Sequence, residues 1–434
     1  MNPAPPNAAL GATPSAAATP SHRAAGSSRS IAWVACALGA FTFFPVGLSY
    51  LGLLVLLLLL LLDRPQWQAR WQQMRPWLWL LLLPLLWALL VLATQGWHED
   101  SASRLFHLLR VALVLGLGLM LLPAERWYAL YGLLAGAVLA SALLLLHQVW
   151  PLPDAALWRA LVSGTTGNST SQKFILLAVA AAAALWLALQ PGLRPAQRAL
   201  ALLGWLLFAA MVAIFGVSRN AQLLLLLLPL AVFVLRWHSW RPLLSAAVAL
   251  LLGALLVWQF SPTVQPRFEQ AAQEVQHFAA TGNFDGSTSV RLRMYQHALE
   301  GMAAQPLLGT GLGSWLPSWR ATMAEVNPAM GEINNPHNDF LLTGMEKGVP
   351  GLLLLLALLA ALGWHSLRQR GDPLAGVAQL LLWTLIVTAL LNAPFRDANL
   401  GLSLLWLLAT FTLGAQPRPA AAPTLGSPAP KPAP

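Results

Sequence analysis

Charge is what this chain has least of: Asp, Glu, Lys and Arg make up 9% of its 434 residues, against roughly a quarter in an ordinary soluble domain. With 57% of the residues apolar, that scarcity excludes a water-soluble globular enzyme. Cysteine is nearly absent as well. The single Cys36 lies inside an apolar run, so neither a disulfide framework nor a Cys-based zinc or iron–sulfur site can be built, and it reads as a small buried hydrophobe. Acids are scarcer than bases, 15 against 25, which leaves a formal net charge of +10. That excess points to anionic lipids or phosphates, or simply to membrane orientation. Its sparse, scattered distribution excludes nucleic acid as a partner.

What is present is apolar sequence in long runs. Residues 1–30 and 415–434 are Pro/Ala/Ser-rich and lack the periodicity of a packed core, so they read as disordered cytoplasmic tails. The first apolar run begins at Ile31 and is too long for a cleaved signal peptide, so it anchors the chain. Cutting wherever charged or turn-forming clusters interrupt the runs predicts twelve segments: 31–45, 47–62, 77–94, 105–122, 127–149, 173–190, 199–217, 221–235, 243–260, 349–365, 374–391 and 400–414. Pro45 and Gly47 divide the first two, which read either as two short helices or as one long tilted one. The predicted fold is all-α, a polytopic membrane protein with about twelve transmembrane helices. Nine of them lie in 31–260 and three in 349–414, with a large helical loop at 261–348.

Placing the N-terminus in the cytoplasm puts Arg64, Arg70, Arg75, Arg126, Arg194, Arg198, Arg236, Arg241, Arg368 and Arg370 in short inside loops. The short outside connections hold only Arg104, Arg159, Lys173, Arg219 and Arg396, as the positive-inside rule expects. An even helix count returns the C-terminus to the cytoplasm. The long loop then lies outside, and it is the expected seat of the chemistry.

Within that loop, Pro266–Phe278 and Ser289–Gln305 read as helices. The Gly309–Gly313 turn lacks the Lys-Ser/Thr pair of a P-loop and the strand–helix setting of a dinucleotide site, so it reads as structural. Asn335-Pro336-His337-Asn338-Asp339 precedes a run, Phe340–Lys347, that reads as a helix ending at Gly348. His337 then sits at a helix N-terminus, whose dipole disfavours an added proton; it is either a neutral proton acceptor or a capping residue. Arg291 and Arg293 fall on roughly opposite faces of one helix, with Tyr295 on the Arg291 face. Either arginine suits lipid headgroups or an acid such as Asp285. Arg219 occupies a minimal turn, Ser218-Arg219-Asn220, between two apolar spans, where an arginine either snorkels or binds an anion. His107, Arg110, His147, Gln148, Gln172 and Lys173 are polar groups within or at the ends of spans, lining a cavity or joining helices. The polar turn Ser163–Thr170 precedes Lys173; its Asn168-Ser169-Thr170 sequon is a tripeptide common by chance.

Together these residues resemble the O-antigen ligase and polymerase family of bacterial envelope polysaccharide enzymes. The resemblance rests on the Gly164–Asn168 turn, Ser218-Arg219, the Arg291–Trp315 stretch with Pro306-Leu307-Leu308-Gly309-Thr310-Gly311, and Pro336-His337-Asn338-Asp339-Phe340 followed by Glu346-Lys347-Gly348. One long outside loop late in the chain is more similar to a ligase than to a polymerase. The resemblance implies a GT-C-like glycosyltransferase of the bacterial inner membrane that moves a glycan from undecaprenyl diphosphate to a sugar of a lipid A-core acceptor, on the periplasmic side. It also implies roles: His337 as general base, Arg219 and Arg291 as diphosphate ligands, and Asn338, Glu346, Arg267, Arg293, Lys173 and Arg110 as supporting residues. No cofactor and no metal are expected, because arginines supply the electrostatic role of a cation. The alternatives are an O-antigen polymerase, a protein O-oligosaccharyltransferase or, in a different class, a polytopic transporter. The single large loop argues against the matched halves that transporters often show.

Overall fold

In a computed structural model, the described residues are 29–162, 168–216, 218–237, 264–284, 286–369 and 371–414, with scattered positions between 241 and 259. Regular structure among them is helical throughout, as a bilayer demands of a chain that must satisfy its backbone groups within each segment. The helices are α1 (Arg29–Phe41), α2 (Val46–Leu62), α3 (Trp67–Met74), α4 (Leu78–Gln95), α5 (Ser101–Leu119), α6 (Pro123–Val149), α7 (Ala156–Val162), α8 (Asn168–Ala188), α9 (Pro195–Phe215) and α10 (Arg219–Arg236). They continue with α11 (Val264–Thr281), α12 (Ser287–Ala304), α13 (Trp315–Met323), α14 (Asp339–Arg368), α15 (Pro373–Leu391) and α16 (Ala398–Thr412).

Among the described residues, seven helices are long and apolar enough to cross a membrane, and shorter apolar helices accompany them at α1, α2, α8 and α16. The chain is a polytopic membrane protein. These helices occupy every predicted segment except 243–260, which lies largely outside the described residues. Proline opens α6, α9 and α15 at the first helical positions, where its missing N–H is no loss.

Hydrogen bonds fix which helix ends share a face. Arg236 Nε, at the end of α10, donates to Leu189 O just past α8 at 3.0 Å. Trp186 Nε1 donates to Pro373 O at the start of α15 at 2.8 Å. Arg126, at the start of α6, donates to Gly414 O at 2.7 Å. On the opposite face, Lys173 near the start of α8 donates to Thr42 O (2.7 Å) and Phe44 O (2.9 Å), beyond the end of α1.

Helices α1 and α6 run parallel at very close range: a Cβ at Gly132 would overlap Cys36 O, and one at Gly136 would press on Ala40. The start of α1 therefore shares a face with Gly414, which an even number of crossings produces. Asp63, after α2, pairs with Arg70, which also bonds Glu125 at the start of α6. Helices α1 and α2 are thus two helices forming a hairpin rather than one tilted span. Helix α10 ends on the Gly414 face and α14 begins on the other.

The core is centred on α8 and α16. Phe174 to Ala184 are all at most 3% exposed, and the run of alanines lets neighbouring backbones approach closely. Leucines of α2, α4 and α9 such as Leu54, Leu86 and Leu203 face outward, as lipid-facing side chains do.

Candidate functional site

The site is built where α14 breaks. Its helical course is interrupted at Gly348 (φ 69°), a left-handed conformation that glycine adopts without penalty. The predicted short helix ending at Gly348 is therefore the first part of a longer helix that resumes and crosses the bundle. A break frees backbone groups that need partners. Here Thr310 N donates to Met345 O (2.8 Å), Trp87 Nε1 to Lys347 O (2.8 Å) and Val349 N to Pro306 O (2.7 Å). The Gly309–Gly313 turn is accordingly structural: a Cβ on Gly309 would overlap the Glu346–Gly348 backbone. Behind it, Met294, Trp315, Trp319, Met323 and Met345 form a compact core for the outer segment.

His337 stands immediately before this helix at φ 53°, the one described non-glycine residue with positive φ. Such a conformation is held by its surroundings. Asn335 Oδ1 accepts from His337 N (2.9 Å), and Asn338 Oδ1 caps α14 by accepting from Phe340 N and Leu341 N, both at 3.0 Å. Asn338 Nδ2 also donates to Leu390 O at 3.1 Å, which ties the turn to the end of α15. The cap is therefore Asn338, and His337 is free to project. Its Nδ1 lies 3.3 Å from Asn392 Oδ1; the pairing assigns the proton to Nδ1 and leaves Nε2 as a lone-pair acceptor. Burial holds the imidazole below its ordinary pKa, the Asn392 bond works against that, and the nearby Arg291 charge adds to it.

Arg291 joins this group from α12, donating to Leu391 O at 3.3 Å, while Tyr295 one turn on donates to Leu390 O at 3.4 Å. Arg219 begins α10 with an exposed side chain, capped by Ser218 Oγ accepting from Ala221 N (3.4 Å). Because α10 and α15 end and begin on the Gly414 face, Arg219 and Asn392 share the face of His337.

The structure does not bring the other predicted residues to His337. Arg293 turns away and pairs with Glu300 at 3.3 Å. Lys173 is spent on the carbonyls beyond α1. Arg110 reaches Phe395 O (3.1 Å) and Arg396 O (2.8 Å) in the turn between α15 and α16, so both cations are engaged by backbone carbonyls of turns. Glu346 bonds Arg104 Nε at 2.8 Å rather than the histidine. The Arg267 side chain, Asp285 and residues 163–167 of the Gly164–Asn168 turn lie outside the described residues.

Sequence reasoning missed Asn392, whose available signal is an asparagine closing an apolar run before Pro394. It also missed the cluster beside the site, where Arg104 pairs with Asp100 (3.2 Å) and Glu346 (2.8 Å), and Arg396 with Asp100 (3.5 Å). Burial and the Arg104 charge lower the Arg396 pKa to about 10, so it stays cationic at neutral pH. Buried Asp339 accepts from Phe395 N at 2.9 Å and fixes the turn that carries Asn392.

Residues 204–356 match the family model described as O-antigen ligase. Arg219, Arg291, His337, Asn338 and Glu346 fall inside the matched region; Arg104, Asn392 and Arg396 fall outside it. No curated protein matches the chain.

Proposed function

We propose that the protein is an O-antigen ligase, because residues 204–356 match the family model described as O-antigen ligase, a family of glycosyltransferase-like enzymes acting on lipid-linked glycans. It transfers a glycan from undecaprenyl diphosphate to a sugar of a lipid A-core acceptor at the face carrying His337, which is the periplasmic face of an inner-membrane orientation. One observation carries the reading: His337 Nδ1 faces Asn392 while no described protein group meets Nε2, and Arg291 lies against the same helix end.

The chemistry follows from that placement. Nε2 takes the proton of the acceptor hydroxyl as its oxygen attacks the anomeric carbon. The bond from that carbon to the diphosphate oxygen breaks, and the electron pair leaves on the diphosphate. Arg291 and Arg219 hold that anion and stabilise the charge it gains. Direct displacement inverts the anomeric centre, and no sugar nucleotide enters. Asn392 orients the ring, and Asn338 fixes the turn that presents it.

The test is reconstituted transfer with purified protein, carrier-linked glycan and lipid A-core in excess EDTA. Product on lipid A that depends on His337, Arg219 and Arg291 is expected. Elongation of the carrier-linked glycan without lipid A would make the protein a polymerase, and restoration only by magnesium or manganese would remove the arginine-only account of the leaving group.

A further inference from the structure

A narrow cavity of about 90 Å³ lies between α4, α5 and α14, apart from the His337–Arg291 group. It is walled largely by apolar residues such as Leu81, Leu108, Ala112 and Leu355, and its polar lining carries three cations, Arg104, Lys347 and Arg396, beside His107 and the carboxyl groups of Asp339 and Glu346. Those polar groups are incompletely paired. Arg104 is 4% exposed and spends Nε on Glu346 and Nη2 on Asp100 and Asn334 O, yet among the described residues its Nη1 has no partner, nor do the buried His107 Nδ1 and Arg396 Nε. Buried donors without partners are costly and mark a place for a ligand.

An apolar slot capped by guanidinium groups fits an amphiphile with a hydrocarbon chain and an anionic headgroup. Its position says which one. Successive residues turn to two sides: Asn338 bonds Leu390 beside Arg291, whereas Asp339 lines the cavity and bonds Phe395. In an inverting displacement the attacking oxygen and the leaving diphosphate stand on opposite faces of the anomeric carbon. With the diphosphate on the Arg291 side, the acceptor enters from the other.

We propose that the α4–α5–α14 cavity is the acceptor's lipid site: it takes the first few methylenes of one acyl chain of an acylated, phosphate-bearing glycolipid, whose anionic headgroup meets Arg104 and Arg396. The proposal rests on the ligase reading for the identity of its occupant, but its test needs no turnover.

In a Cys36→Ser background, Ala112→Cys is labelled in nanodiscs by a membrane-permeant maleimide, alone and with lipid A, undecaprenyl diphosphate or phosphatidylglycerol. Lipid A is expected to slow labelling about tenfold at saturation, with the other two lipids leaving it unchanged. Equal protection by phosphatidylglycerol, protection by the carrier alone, or no protection by any lipid each overturns the proposal. In parallel, Ala112→Phe fills the slot and is expected to raise the acceptor KM about tenfold with the donor KM unchanged, whereas the outward-facing Leu109→Phe changes neither. Protection by lipid A together with transfer that survives His337→Ala would keep the site and reject the catalytic reading; loss of transfer without protection would do the reverse.

Discussion

Two arginine groups at opposite faces of the bundle illustrate how one side chain serves two ends. On the Gly414 face, Arg70 is 0% exposed and completely satisfied: Nε and Nη2 meet Asp63, Nη1 and Nη2 meet the two Glu125 carboxylate oxygens, and Nη1 also reaches Met120 O. On the His337 face, Arg291 has among the described residues one long bond, to Leu391 O at 3.3 Å, and Arg219 begins its helix exposed. A guanidinium whose donors are all engaged binds nothing further and holds helices together. One with donors to spare beside a half-buried histidine is ready for an anion. The contrast lies in pairing rather than in residue type, which is why counting cations says little about function.

The strongest way to break the comparison is to exchange the expected losses. His337→Ala should lower transfer roughly 10²–10⁴-fold and Arg291→Ala roughly 10²–10³-fold, each with the unfolding midpoint in detergent unchanged. A variant that lost stability but kept transfer would place these residues with the structural group. On the other face, Glu125→Ala leaves the buried Arg70 without its bidentate partner and should cost about 3–5 kcal/mol of stability, read by thermal unfolding, while the surviving folded fraction keeps its acceptor and donor KM. A drop in kcat per folded molecule would deny the separation.

A subtler test uses pH. A general base acts only when neutral, so a pKa held below the ordinary 6.5 keeps His337 active into mildly acidic solution. The pH–rate profile should hold through neutrality and fall only as pH drops through a value below 6.5. Asn392→Ala removes the contact that raises the pKa and should move that limb further toward acid; a move toward base would contradict the assigned hydrogen bond. The smallest effect belongs to Arg293→Ala, whose bond to the largely exposed Glu300 contributes less than about 1 kcal/mol. Transfer should stay within about twofold of wild type, and a loss comparable to that of Arg291→Ala would return Arg293 to the site.

Much of the scaffold was legible because it follows from local sequence. The apolar runs, the prolines at helix starts and the Gly348 break each act within a few residues of where they are written. His337 was legible as a histidine at a helix N-terminus, and Arg219 as a cation in a turn too short to hide it. The roles of Lys173, Arg110 and Glu346 were not. Their partners lie 131, 285 and 242 residues away, and nothing in the runs that contain them says which helix end will be their neighbour. The same distance hid Asn392, 55 residues from the imidazole it faces.

By itself the sequence determined that this chain lives in a bilayer and where most of its apolar helices lie, since hydrophobic length and turn chemistry are properties of contiguous residues. Tertiary structure alone decided which charges are spent and which are left over. Helix packing brings distant carbonyls and carboxylates against Arg70, Arg110 and Lys173, while among the described residues Arg219, Arg291 and one edge of His337 keep donor or acceptor capacity unused.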